Sequence, residues 1–340
     1  MANLKDLADH LGLSQATVSR ALNDYSTVNA TTKQRVLQAA NHLNYRPNTS
    51  ARRLATGRAG AYGIVLPKAD NLLMDPHFVD FLSGLTTAFA AHDLDIVLTG
   101  AEGIQAYQRF ANTGKVDGFI LSSPKSDDPR IRLLSEMEVP FVVHGRCDVD
   151  LDYAFYDIRN RSAFRDATNL LLNLGHTRIG LLNGPSDAIF ARDRLKGYTE
   201  ALVTNDLIPD PTLVMHDMMT EEYGYRATGT LFAQPSPPTA LLCASTLVAL
   251  GATRRLRRDG LTVPEDVSII SHDDCLSSLK TENFSVPLSV TRAPIRDAGT
   301  EIAKLIIDLS RGAAIADIQK TVPVDLIVRA STCTAPQARS

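Results

Sequence analysis

The chain contains no tryptophan, few aromatics (6%) and only four cysteines in 340 residues. Cys147, Cys243, Cys275 and Cys333 stand far apart, make no CxxC and lie near no histidine ladder. That excludes a zinc-ligand pattern and a disulfide framework, and reads as thiols kept in a reducing cytoplasm. No run approaches the ~18 apolar residues that a membrane-crossing helix needs. The start, MANLKDLADH, is polar and charged from its third residue, so no secretory leader is expected. The phosphate-cradling GxxxxGK[ST] and GxGxxG and the nucleophile elbow GxSxG are all missing. Ser285, His272 and Asp273 make no recognisable triad, and no pair of carboxylates can be nominated to flank a scissile bond. The expectation is a soluble, cytoplasmic chain that is not an enzyme, has no cofactor and has no membrane partner.

What is present is uneven. The net charge is −3, but residues 1–60 hold eight Lys/Arg against three Asp, and the remainder holds 27 basic and 35 acidic residues. A basic module on an acidic body is the footprint of a nucleic-acid-binding head on a sensing body.

Asn3 can cap a helix from Leu4 to about His10, and Gly12 can stop it. Ser14 can cap a second helix through Leu22, with Val18, Ala21 and Leu22 inward and Asn23-Asp24 breaking it. A third runs from about Thr31/Thr32 to Asn44, with Val36, Leu37, Ala40 and Leu43 inward, and Pro47 closes the module. Two short helices around a tight turn, the second with an exposed face, form a helix-turn-helix. Its outward residues are Gln15, Ala16, Thr17, Ser19 and Arg20. Gln15 suits adenine and Arg20 guanine, Ala16 can meet only a thymine methyl, and Ser14, Thr17 and Asn23 suit phosphates. A plain three-helix bundle with a polar face fits the same spacing.

From Tyr62 the pattern changes. GIVLP, LDIVL, VDGFIL, VPFVVH, RIGLL, TALLC and VSIIS alternate with helical patterns near 77–92, 103–113, 158–173, 188–204, 221–233, 245–258 and 295–311. Short aliphatic runs alternating with helices imply parallel sheets covered on both faces, here two doubly wound sheets. Ligands of such sheets sit outside the strand C-termini. The expected organisation is a head at 1–47, a linker at 48–60, a body at 61–330 and a tail at 331–340. Within the body, one lobe spans about 61–158 plus 292–320, and the other about 159–290 plus 321–330.

LKDLADHLGLSQATVSRALN, VNATTKQRVLQAANHLNYRPN and SARRLATGR closely resemble the head of the LacI/GalR (lactose-repressor) family. GIVLP, DPHFVDFLSGL, KVDGFILSSP, LLLNLGHTRIGLLNGP, ARDRLKGY, SHDD and PLSVTR follow in the family's order, so the resemblance covers residues 3 to about 330. It implies a helix-turn-helix head on a body of two lobes like those of periplasmic binding proteins. It also implies a homodimer on a near-palindromic double-stranded operator, and a small-molecule effector. Gln15, Ala16 and Arg20 fall on base-reading positions and 48–56 on a hinge helix, where Asn48 is a DNA-binding candidate and Arg52 and Arg53 add phosphate neutralisation. Leu54 matches a minor-groove wedge, and Arg58 adds to phosphate neutralisation.

In the body, the positions after the strands become effector candidates: His77 and Phe78, Ser122, His144 and Arg146, Phe190 and Arg194, Ser245, Asp273, and Arg292. Arg194 matches a ligand-clamping arginine and Asp273 a carboxylate that accepts from the ligand. Gly145 stands where the family more often has aspartate, and Ser245-Thr246 where it has Asn-Asp. Arg192 reads as a surface or interdomain ion pair and His176 as a packing residue. Arginine and aspartate beside aromatic faces suit a sugar ring. A purine stacked between Phe78 and Phe190 is the alternative, and a sugar-binding transport component a more distant one. Within sugars, RRLATG and VVHGR lean towards α-glucosides or disaccharides such as sucrose. The tail shows no leucine heptad for a tetramerising coiled coil.

Overall fold

The computed structural model describes residues 3–22, 25, 27–45, 57–66, 72–100 and 103–336. Contacts divide the chain into two units, residues 1–59 and 60–340. Among the described residues no helix is long and apolar enough to cross a membrane.

The first unit is three helices: α1 (Leu4–Leu11), α2 (Gln15–Leu22) and α3 (Ala30–His42). The Asn3 side chain accepts from the Lys5 and Asp6 amides while Asp6 accepts from the Asn3 amide, a reciprocal cap that satisfies the orphan donors of α1. Gly12 ends the helix at φ 65°, a left-handed conformation costly for a residue with a Cβ. The core is Leu7, Ala8, Val18, Ala21, Val36, Ala39 and Ala40. Leu37, expected inward, is exposed, and Ala39 takes the inner position. Helix α3 starts earlier than expected because Asn29 caps it, accepting from the Thr32 amide.

The second unit holds two six-stranded sheets. The strands are β1 (Ala61–Leu66), β2 (Asp95–Gly100), β3 (Gly118–Ser122), β4 (Phe141–His144), β5 (Ala154–Ile158), β6 (Ile179–Asn183), β7 (Val214–His216), β8 (Ala240–Cys243), β9 (Ser268–Asp273), β10 (Ser289–Arg292), β11 (Gln319–Val322) and β12 (Asp325–Ile327). The sheet orders are β11-β5-β4-β3-β1-β2 and β12-β10-β9-β8-β6-β7. Every pairing is parallel except β10 with β12. Helices α4 (Pro76–Ala90), α5 (Gln105–Asn112), α6 (Pro129–Glu136) and α11 (Ile295–Ser310) belong to the first lobe. Helices α7 (Asn160–Asn173), α8 (Ile189–Thr204), α9 (Glu221–Phe232) and α10 (Thr246–Arg258) belong to the second. The chain passes between lobes after β5, β10 and β11.

Helices α4 and α11 pack at backbone distance. A Cβ on Gly84 would stand 2.0 Å from the Arg296 carbonyl oxygen, so only glycine fits. Two expected boundaries move. Strand β11 carries the first lobe to Val322, where 320 was expected. Residues 331–335 are not a tail but a seam of the second lobe. The Ile269 amide donates to the Ser331 carbonyl (2.8 Å), the Ser331 hydroxyl to the Ile269 carbonyl (2.6 Å), and the Ala335 amide to the Leu174 carbonyl (2.8 Å). His176 is buried at this seam, with Nδ1 2.9 Å from Thr239 Oγ1 and Nε2 3.0 Å from the Cys333 carbonyl oxygen.

Candidate functional site

In the helical unit, Gln15, Ala16 and Arg20 are exposed on α2, opposite the buried Val18 and Ala21. Ser14 is occupied as a cap: its hydroxyl oxygen accepts from the Thr17 amide at 3.1 Å and lies 2.8 Å from Thr17 Oγ1. These two hydroxyls therefore stabilise the start of α2 before either meets a phosphate. Asn23, Asn48, Arg52, Arg53 and Leu54 lie outside the described residues.

In the body, strand ends from both sheets bring polar side chains together. Arg194, on α8, is buried. Its guanidinium lies between the rings of Phe164 (4.8 Å) and Phe190 (5.0 Å). Nε donates to Asn160 Oδ1 at 2.8 Å and Nη1 to the Ala244 carbonyl at 2.7 Å. Burial lowers its pKa to about 10 against the opposing pull of Asp274 and Asp157. The group stays charged at neutral pH with its geometry set before any ligand arrives.

Asp274 is the centre of charge. Its Oδ1 lies 3.4 Å from Nε2 of His77, which belongs to the first lobe, and 3.4 Å from Nε2 of His272, which belongs to the second. Burial alone would raise this carboxyl, but the two imidazoles outweigh it and hold it well below the usual range. For His77, burial disfavours the charge, yet Asp274 prevails and the pKa rises. His144, stacked on Phe81 with ring centroids 4.9 Å apart, is pushed down to about 4, by burial first and then by the His77 charge. His144 is thus a neutral imidazole at neutral pH, supplying a donor and an acceptor rather than a cation.

The other candidates divide. The Ser122 hydroxyl is buried and, among the described residues, has no hydrogen-bond partner. Phe190 is partly exposed beside Arg194. Phe78 is instead buried in the first lobe's core with Phe81 and Leu276, so it offers no open wall. Arg146 donates to Asp157 at 2.7 Å and is half exposed. Ser245 caps α10, accepting from the Val248 amide. Arg292 is exposed at the end of β10. The Asp273 carboxylate is consumed internally, accepting from the Cys275 amide (2.8 Å) and the Thr281 hydroxyl (2.9 Å). The carboxylate turned to the histidines is its neighbour.

Sequence reasoning missed Asn160, Phe164 and His272 as parts of this site. The SHDD motif pointed to the last, and nothing local pointed to the first two. It also missed Asp80, a buried carboxylate on α4 that accepts from the Ser277 amide (2.7 Å) and from Arg296 (2.6 Å), joining the lobes. Among the described residues no three His, Cys, Asp or Glu side chains converge to hold a metal.

Residues 3–48 match the family "Bacterial regulatory proteins, lacI family", and residues 168–332 match "Periplasmic binding protein-like domain". The HTH-type transcriptional regulator AglR of Rhizobium meliloti (strain 1021) is 47% identical over 338 residues, 98% of this chain and 95% of that protein. Among solved structures, a transcriptional regulator CelR–cellobiose complex superposes with a TM-score of 0.71 at 30% identity, covering 97% of this chain and all of that one. The lac repressor dimer bound to operator and the anti-inducer ONPF gives a TM-score of 0.81 at 26% identity, covering 98% of this chain and 99% of that one. An exposed reading helix, a two-lobed body and relatives matched over nearly their full length lead to one conclusion: the chain belongs to the lacI family of bacterial regulatory proteins, and is a DNA-binding transcription regulator rather than an enzyme.

Proposed function

We propose that the chain is a repressor that binds a near-palindromic operator as a homodimer and is released or modulated by a small sugar, with a lean towards an α-glucoside such as sucrose. The observation that carries the reading is the polar cluster at the strand ends: Arg194, Asp274 and His77 with the neutral His144. Sugar hydroxyls need paired donors and acceptors, and Phe190 can take the ring's C–H face. A purine stacked between two aromatics is less well served, because Phe78 is buried in the core. The CelR–cellobiose complex supports the same class.

On DNA, Gln15 and Arg20 are the proposed base readers, with Ala16 against a thymine methyl and Thr17 near the backbone. Asn23, Asn48, Arg52 and Arg53 are the proposed phosphate contacts, and Leu54 the proposed wedge. Among the remaining cleft residues, Ser122 is the proposed hydroxyl partner. Asp273, Ser245 and Arg146 hold surrounding segments, and Arg292 stands exposed at the end of β10. A ligand that contacts both lobes changes their equilibrium, and so changes whether two hinge segments can engage DNA together.

The test is operator binding by fluorescence anisotropy during titration with sucrose, cellobiose, glucose and nucleosides. Sugars should shift the curve and nucleosides should not; the reverse result overturns the effector class. A chain lacking residues 1–60 should lose operator binding. Undiminished binding by that body would sink the DNA-reading assignment.

A further inference from the structure

A second set of contacts joins the lobes away from the Asp274 cluster. The loop after β3 carries Lys125 and Ser126, and the loop after β4 carries Asp148. From the other lobe, the loop after β6 carries Asp187 and the first turn of α8 carries Arg192. Lys125 Nζ meets Asp187 Oδ2 at 2.6 Å. Arg192 Nη1 donates to Ser126 Oγ at 2.6 Å and to Asp148 Oδ2 at 3.2 Å. The backbones of Lys125 and Ala188 form an antiparallel bridge. We propose that these contacts are a latch that holds the two lobes closed, and that Lys125 and Arg192 set the open–closed equilibrium as positioning residues.

Both halves are built in advance. Asp128 caps α6 and accepts from the Lys125 amide at 3.2 Å, and the Cys147 thiol donates to the Lys125 carbonyl at 2.9 Å, so the first-lobe loop is shaped on its own side. On the other side Ala188 precedes α8, the helix that carries Phe190, Arg192 and Arg194 at alternate positions. Closure at the latch therefore acts on the same helix that holds the Arg194 guanidinium.

The latch charges are half exposed, so they are screened by salt and individually weak. Two such pairs shift an equilibrium by about 2- to 30-fold. The lobes would open more readily as ionic strength rises, while the buried Asp274 contacts respond far less. The consequence for effector affinity rests on the sugar reading above; the latch itself does not.

Hydrogen–deuterium exchange on the full-length chain tests it without an effector. Lys125→Asp and Asp187→Lys should each accelerate exchange in both segments, 123–130 and 185–194. The double variant, with the charges swapped, should restore protection, and raising NaCl from about 0.05 to about 0.5 M should accelerate both segments in the wild type. Acceleration confined to the substituted segment, failure of the swap to restore protection, or indifference to salt would each overturn the latch. Calorimetric titration of the same proteins with sucrose and cellobiose separates the two claims. A restored exchange pattern with no binding of either sugar keeps the latch and removes the sugar reading.

Discussion

Replacing His144 by phenylalanine keeps the ring stacked on Phe81 and removes one titrating group. In the folded chain His144 is held down at about 4, against about 6.5 when unfolded. A base whose folded pKa is depressed contributes stability that is present above the unfolded value and is lost as pH falls towards the folded one. Almost all of that contribution is present at pH 7. At pH 5 an unfolded His144 is nearly fully protonated while the folded one is still mostly neutral, so about 2 kcal/mol of stability has gone. Other groups also titrate: His272 and His176 are lowered like His144, His77 is raised, and Asp274 is lowered. They are common to both proteins and largely cancel in a difference. Urea unfolding followed by far-ultraviolet circular dichroism at pH 7, 6 and 5 gives that difference. Wild type should lose about 2 kcal/mol more than His144→Phe between pH 7 and pH 5. Equal losses, or a larger loss in the variant, would refute the assignment of His144 as the neutral imidazole of the cleft.

Arg20→Ala should relax discrimination at one base pair by roughly 1–3 kcal/mol, read by anisotropy on an operator-variant panel; a uniform loss on all sequences would make Arg20 a phosphate contact. Asp273→Asn should lower stability by about 1–2 kcal/mol through its Thr281 and Cys275 contacts, with little change in effector affinity. Asp274→Asn should weaken effector binding by about tenfold or more in calorimetry, and the opposite pattern would return the ligand role to Asp273. Leu7→Ala, at a fully buried position in a small core, should cost about 2–5 kcal/mol. It should abolish operator binding while the unfolding transition of the body stays where it was.

The head was readable nearly residue by residue because its signals are local: an Asn cap answered by Asp6, a Gly12 that can turn left-handed, and a 3.6-residue apolar period. Leu37 shows the limit, since periodicity cannot say which of two adjacent apolar positions meets the core. In the body, most central strands announced themselves as aliphatic runs, as did the edge strand β2 within LDIVL, whereas two other edge strands did not. Strands β11 (QKTV) and β7 (VMH) have one neighbour each and little reason to be apolar. The candidate site was legible in its residue types but not in its wiring. Asp273 and Asp274 are neighbours, and which carboxylate turns to the histidines depends on local backbone that composition does not encode. Asn160 and Phe164 reach Arg194 from a helix 34 and 30 positions away, a relation only the tertiary fold creates.

The strands at the end of the chain bear on how the protein is made. The three helices of the head precede both lobes in the chain, and their core is made of their own residues. Each lobe, by contrast, waits for the same short stretch: β11 is an edge strand of one sheet, β12 of the other, and 331–335 sews the second lobe shut. A nascent chain halted before Gln319 would therefore have a finished reading head and two unfinished lobes, not one good lobe and one bad. Damage to that stretch would be shared by both lobes, while the core of the three-helix head would be left intact.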